Sequence, residues 1–269
     1  QPFILVSVIT SAALIPILLT KKKPPTFKKI NVMTFNELYK VSPFGIVSSF
    51  FYGTIQSALF TLLAVYAKSM NFTILEISIV TFLLAISGAI AQFPIGKISD
   101  VYDRRKVIVA STFGAAIFAL ITIFVSGQMY LPDGLATSKT WFYIFFILFS
   151  FCSLPMFSLI LAHTNDYIKK DKFVAAGAGL QFMFGLGAMS GPFLCSIFMD
   201  LVGSNGFFVF LFFFHSLIGF FGIYRMRVRE TVDNPDSQFV AMPQTITPAG
   251  IELNPTTEPI EEPSKNENN

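Results

Sequence analysis

Charged side chains are scarce in this sequence. Only 13% of its 269 residues are Asp, Glu, Lys or Arg, about half the share of a soluble domain. Hydrophobic residues make up 53%, and the mean hydropathy is +0.64. This composition excludes a water-soluble globule, and with it the soluble enzymes.

Groups that carry catalysis are also rare. The two cysteines, Cys152 and Cys195, both lie in apolar runs, so they indicate neither a redox compartment nor a metal site. No metal-ligand cluster, carboxylate pair or nucleophile with a base is visible within an apolar run, which argues against a membrane-embedded enzyme. No cofactor is expected. His215 is the only ionisable group well inside an apolar run, and we interpret it as bonded to a neighbour rather than as a proton relay.

Long apolar runs dominate what is present. A bilayer core about 30 Å thick needs about 20 apolar residues per helix, and the runs are continuous rather than alternating, which favours helices over a β-barrel. We therefore predict an all-α membrane protein, a polytopic helical bundle. The six full spans are predicted at 44–67, 76–96, 107–126, 141–162, 174–199 and 206–226.

Three further segments complete the predicted organisation. Residues 1–19 are predicted to be a partial transmembrane helix, since the apolar run already begins at the first residue. Residues 20–43 form a basic linker broken by prolines. The tail, 227–269, is rich in Pro, Glu, Asn and Thr and is predicted to be disordered.

The basic residues are divided very unequally between the two sides of the predicted spans. Lys68 and Lys139 lie on one side. The other side carries Lys21, Lys22, Lys23, Lys28, Lys29, Lys40, Lys97, Arg104, Arg105, Lys106, Lys169, Lys170, Lys172, Arg225, Arg227 and Arg229. Because cytoplasmic loops are rich in Lys and Arg, we predict that this second side, with the linker and the tail, is cytoplasmic and that the membrane is the plasma (inner) membrane. The partner that explains the positive charge is thus the lipid bilayer, in which the basic residues set the orientation of the chain. No nucleic-acid partner is expected.

One loop carries a motif. Between the second and third full spans stand Gly96, Asp100, Arg104 and Arg105. A glycine lets another segment approach closely, while a carboxylate beside cations on a short loop forms an ion pair that is made or broken as helices move. We interpret the four residues as a conformational-gating motif; the alternative is a plain basic loop with a solvated Asp100.

The motif resembles the cytoplasmic signature of the major facilitator superfamily. Val101 and Asp103 depart from it, since a basic residue and a glycine are common there. The resemblance implies a transporter of twelve spans, of which this chain is the carboxyl-terminal half, so that the missing amino-terminal half is its partner. It also implies a small-molecule substrate and leaves coupling to a proton or ion open. The run from Asn36 to Pro43 resembles the YcaD-like branch of the family.

Few polar residues lie deep in the spans. Ser49, Tyr52 and Gln56 share one helical face, and together with Gln92 and Gln181 they are candidate substrate-cavity residues. Hydrogen bonding between helices is the alternative for each of them. The run from His163 to Asp166 closes the fourth full span and is interpreted as a hydrogen-bond cluster at a helix end.

The fifth full span is rich in small residues. Gly187, Gly191 and Pro192 resemble the Gly-Pro motif of facilitator antiporters, but close helix packing, with a kink at Pro192, is the favoured interpretation. A seven-helix receptor or photoreceptor-like protein is the alternative to a transporter, because seven crossings are predicted. A retinal protein would need a lysine in mid-span for its Schiff base, and Lys68 and Lys97 lie at span ends.

Overall fold

The structure, a computed structural model, describes residues 2–13, 15, 33–128, 135–169, 172–228 and 239. It divides into two units, 1–30 and 31–269. The first contains helix α1, Pro2–Ala13, with exposed apolar side chains at Ile4, Val8 and Ile9. Residues 20–32 of the predicted linker, and the predicted tail apart from Arg227, Val228 and Phe239, lie outside the described residues.

The second unit is a bundle of helices. They are α2 (Phe35–Val41), α3 (Pro43–Ser69), α4 (Ile74–Val101), α5 (Arg104–Gln128), α6 (Leu135–Ser153), α7 (Met156–Asn165), α8 (Phe173–Val202) and α9 (Gly206–Val228). Among the described residues, six segments are long and apolar enough to cross a membrane, and α6 and α7 together supply one of them. The prediction of an all-α polytopic membrane bundle is confirmed.

Local sequence explains where two long helices begin. Helix α3 starts at Pro43, whose missing N–H costs nothing in the first turn, and the Ser42 hydroxyl accepts a hydrogen bond from the Gly45 amide at 3.3 Å. Helix α4 starts with a capping box, in which Thr73 and Glu76 each accept from the other's backbone amide.

The fourth predicted span is not one continuous helix. Helix α6 ends at Ser153 and α7 begins at Met156, with Leu154 and Pro155 between them. Proline lacks an N–H, and its ring clashes with the carbonyl four residues earlier, so a helix breaks or kinks there. Every residue of α7 is buried, so neighbouring helices surround this short segment.

Helices α3 and α8 are in direct backbone contact. A Cβ atom added at Gly187 would collide with the Phe50 carbonyl, and one added at Gly53 would collide with the Phe184 carbonyl. Gly191 lies in the same way against the backbone of α3. The two helices therefore approach as closely as small residues permit in membrane proteins.

Helices α4 and α8 each keep an apolar face that the described bundle leaves uncovered. On α4 this face includes Phe82, Ile90 and Phe93, and on α8 it includes Met189 and Phe193. Side chains of this kind are stable against lipid or against another apolar protein surface.

Basic residues of the bundle gather at one end, called the basic end below. It contains the start of α3, the α4–α5 connection, the end of α7 and the end of α9. Residues from all four segments line one small cavity, and ion pairs of Arg104 join the α4–α5 connection to the end of α7. Helix α2 lies against α8, where Leu38 fits against Gly179.

An ion pair also ties α2 to the start of α8. The Lys172 ammonium donates to Glu37 Oε1 at 2.7 Å. This hydrogen bond, and then the charge of Lys172, hold the pKa of the Glu37 carboxyl below its ordinary value. A carboxyl with a lowered pKa in the folded state stabilises that state above its unfolded pKa, and the stabilisation is lost as the pH falls through the folded value.

We therefore expect a pH-dependent coupling between Glu37 and Lys172. In a double-mutant cycle of Glu37→Gln and Lys172→Gln, melting temperatures should show coupling at about pH 7, and the coupling should disappear once the pH is low enough to protonate the Glu37 carboxyl. High salt should also weaken it, because both side chains are more than a third exposed. A coupling that survives acidification would contradict the assignment.

Candidate functional site

The motif residues lie at the tight connection between α4 and α5. Asp100 is in the last turn of α4 and Arg104 is the first residue of α5. The Arg104 guanidinium donates to Asp100 Oδ1 through Nη2 at 3.0 Å. The arginine side chain is 7% exposed and the aspartate side chain 35%, so the pair lies at the edge of the bundle rather than in open solvent.

Arg104 also reaches a second carboxylate. Its Nε lies 3.5 Å from Oδ2 of Asp166, which directly follows α7. One buried guanidinium thus joins the end of α4 to the end of α7. Sequence reasoning assigned Asp166 to a helix-end cluster and missed this pairing, since the two residues are far apart along the chain.

Asp103 explains one departure from the family signature. Its carboxylate accepts from the backbone amide of Arg105 at 2.9 Å, as an N-cap does. The same carboxylate binds the Arg105 side chain through Nε at 3.2 Å and Nη2 at 2.9 Å. An aspartate at this position therefore both starts α5 and orients Arg105.

The space beside Gly96 is occupied by a residue of the tail. The Phe239 ring lies where a Cβ of Gly96 would stand, and the Phe239 amide donates to Asp100 Oδ1 at 2.7 Å. Asp100 thus accepts from both Arg104 and the tail. The close approach expected at Gly96 comes here from an aromatic side chain.

The candidate substrate residues fall into two groups. Ser49, Tyr52 and Gln56 are buried along α3, whereas Gln92 on α4 and Gln181 on α8 are half-buried. Within the described residues, Ser49 Oγ and Gln181 Oε1 are buried without a hydrogen-bond partner. Such atoms are rare in folded proteins, and each calls for an explanation such as a bound water or solute.

Tyr52 has a partner at the break between α6 and α7. Its hydroxyl donates to the Leu154 carbonyl at 3.1 Å, and the Leu154 side chain also fits against Gly88 of α4. A carbonyl next to a proline break needs such a donor, because a buried acceptor without a hydrogen bond is costly.

Tyr52→Phe is expected to destabilise the protein by about 1–2 kcal/mol, since it leaves the Leu154 carbonyl without this donor. Thermal unfolding of the purified full-length protein measures the effect. Tyr224→Phe is the matched control, because Tyr224 is exposed and should change stability little. Equal effects of the two substitutions would contradict the assigned role of Tyr52.

His215 is buried and bonded within the bundle. Nδ1 lies 2.7 Å from the Leu211 carbonyl, and Nε2 lies 2.9 Å from Ser153 Oγ. Because a carbonyl only accepts, Nδ1 carries a proton, and in the neutral ring Nε2 accepts from Ser153. This geometry fits a structural histidine that joins α9 to the end of α6.

Comparison with known proteins identifies the family. The family model for the Major Facilitator Superfamily matches residues 45–255. The chain is 26% identical to the uncharacterized MFS-type transporter YfkF of Bacillus subtilis over 66% of this chain and 44% of the relative. It is 25% identical to the uncharacterized MFS-type transporter YE1530 of Yersinia enterocolitica over 74% of this chain and 47% of the relative.

The chain spans less than half the length of these curated relatives. No solved structure matches it. The family match favours a transporter over a seven-helix receptor and points to a non-enzymatic protein, while the YcaD-like branch stays a prediction. The chain is an integral, multi-pass membrane protein that belongs to the major facilitator superfamily of transporters.

Proposed function

We propose that this chain is the carboxyl-terminal half of a twelve-span transporter that moves a small solute by alternating access. Family membership and the length of the relatives support the proposal. In transporters built from two halves, the solute binds near the bilayer midplane between them, and the halves rock about it. The uncovered apolar faces of α4 and α8 are surfaces against which the other half would lie.

The gate is assigned to the α4–α5 corner. The observation that carries this assignment is the Arg104 guanidinium, which binds Asp100 and Asp166 at once. When the end of α7 moves away from α4, Arg104 exchanges one of its two carboxylates for water. The ion pairs therefore bias the equilibrium between two arrangements of these helices.

The break at Pro155 supplies a place for that movement. Helix α7 is a separate segment of 10 residues, so it can tilt without bending α6. Its two ends are held differently, by the Tyr52 hydrogen bond near the break and by the Arg104 ion pair at the basic end. Release of the ion pair would free one end while the other acts as a hinge.

Solute contact is assigned to polar atoms that lack partners. Ser49 Oγ and Gln181 Oε1 are buried without a hydrogen bond to a described residue, and hydroxyl and amide groups suit a polar solute. Gln56 and Gln92 are candidate neighbours on α3 and α4. Coupling to a proton or ion, where it occurs, is assigned to the other half, since His215 is held by two hydrogen bonds.

Distance measurements on the reconstituted full-length protein test the gate. Spin labels at Lys106 of α5 and Tyr167 after α7 should show two distance populations, whose ratio changes when a transported solute is added. A single distance that no solute changes would contradict alternating access at this corner.

A separate labelling experiment tests the orientation of the chain in the membrane. Cysteines introduced at Lys106 and Arg227 should react with a membrane-impermeant reagent added on the cytoplasmic side, and a cysteine at Lys139 should react with it on the opposite side.

A further inference from the structure

A second feature of the basic end is a small cavity beside the gate. Its lining includes Ser42, Phe44, Arg105, His163, Tyr167 and Arg225. These residues come from the start of α3, the start of α5, the end of α7 and the end of α9. Four chain segments that are distant in the sequence thus converge on one point at the end of the bundle.

The charge of the cavity is positive. Two guanidiniums, those of Arg105 and Arg225, line it, and no described residue that lines it is acidic. Asp103 neutralises Arg105 and fixes its orientation. Arg225 is half-buried and makes no ion pair with any described residue, so its charge lacks compensation within this part of the chain.

The remaining walls suit an anion that is partly shielded from water. The His163 ring makes edge-to-face contacts with the rings of Phe44 and Tyr167, at 5.2 and 5.1 Å between centroids. The start of α3 adds the positive end of a helix of 27 residues. A partly buried cation in such surroundings gains more from an anion than one in open solvent.

The size of the cavity limits its ligand. The enclosed part has room for about one water-sized group, which is too little for a transported solute. It admits one oxygen of a larger group whose remainder stays at the mouth. An arginine recognises phosphoryl oxygens through two parallel hydrogen bonds.

We propose that this cavity binds the phosphoryl group of an anionic lipid headgroup. The cavity lies at the ends of membrane spans, where basic pockets between helices bind such lipids. A bound headgroup would compensate Arg225 and link α9 to α3 and α7. The proposal does not depend on which solute is moved.

Native mass spectrometry of the full-length protein tests the proposal. The protein is exchanged into micelles that contain phosphatidylcholine and phosphatidylglycerol, and the retained lipids are counted. We compare Arg225→Gln with the control Arg227→Gln. Arg227 is exposed and lies two residues further along α9, so the control removes the same charge outside the cavity. Arg225→Lys keeps the charge but loses the paired hydrogen bonds, and inorganic phosphate is added in a separate arm.

We expect preferential retention of phosphatidylglycerol that falls about fivefold in Arg225→Gln, falls less in Arg225→Lys and is unchanged in Arg227→Gln. Binding of inorganic phosphate with the same dependence on Arg225, without a lipid preference, would assign the site to a soluble phosphate instead. Equal losses in the Arg225 and Arg227 variants, or no preference in the parent protein, would overturn the proposal. If Arg225→Gln does not fold, Arg225→Lys and the phosphate arm decide.

Discussion

Asp100→Asn is expected to lower transport by the full-length protein about five- to thirtyfold. The substitution keeps the shape of the side chain and one acceptor oxygen but removes the charge that faces Arg104. Loss of a partner from a fully buried ion pair costs about 3–5 kcal/mol. Since Asp100 is 35% exposed, we expect about 1–2 kcal/mol, which shifts the equilibrium between conformations by the stated factor.

The measurement is solute uptake into proteoliposomes, with the amount of folded protein checked in parallel. Val101→Arg is the control, because Val101 is the neighbouring residue, is 79% exposed and stands where a basic residue is common in the family signature. It should change uptake less than about twofold. Normal uptake by Asp100→Asn would exclude the gating role of the motif.

The features that could be predicted from the sequence are those that depend on neighbouring residues alone. Span lengths follow from the thickness of the bilayer, and the predicted ranges overlap the six apolar segments of the structure. Asp100 and Arg104 are four residues apart across the short connection between α4 and α5, so their closeness follows from the chain itself. Neither result required knowledge of which helices are neighbours.

Contacts between distant segments were not predictable in this way. The Arg104–Asp166 pair joins α5 to the end of α7, and the Tyr52 hydrogen bond joins residues 102 positions apart. Nothing in the local sequence of Tyr52 indicates that its hydroxyl meets a carbonyl beside Pro155. Similarly, the contact of Phe239 with Asp100 spans 139 positions, and composition alone describes the tail only as polar.

The contacts of small residues were predictable only in part. The sequence indicates that α8 packs closely against another helix, but it does not indicate which helix. The structure supplies the partner by placing α8 against α3. Gly187 and Gly191 then differ from Gly185, although all three lie on α8: a Cβ at Gly185 would meet nothing within 4 Å, whereas those at Gly187 and Gly191 would strike the α3 backbone.

Gly187→Ala is therefore expected to destabilise the full-length protein by about 2–3 kcal/mol, near the upper end of the cost of overpacking. The added methyl group meets the Phe50 carbonyl, and a backbone cannot rotate away as a side chain can, so α3 and α8 must separate. Thermal unfolding in detergent measures the loss.

Gly185→Ala provides the matched control on the same helix. It adds the same methyl group in open space and should leave stability unchanged or raise it by about 0.5–1 kcal/mol, the usual gain from replacing a helical glycine. Because the two substitutions share their chemistry and their helix, a difference between them measures the contact with α3 alone. Equal melting temperatures would mean that α3 and α8 do not touch through Gly187.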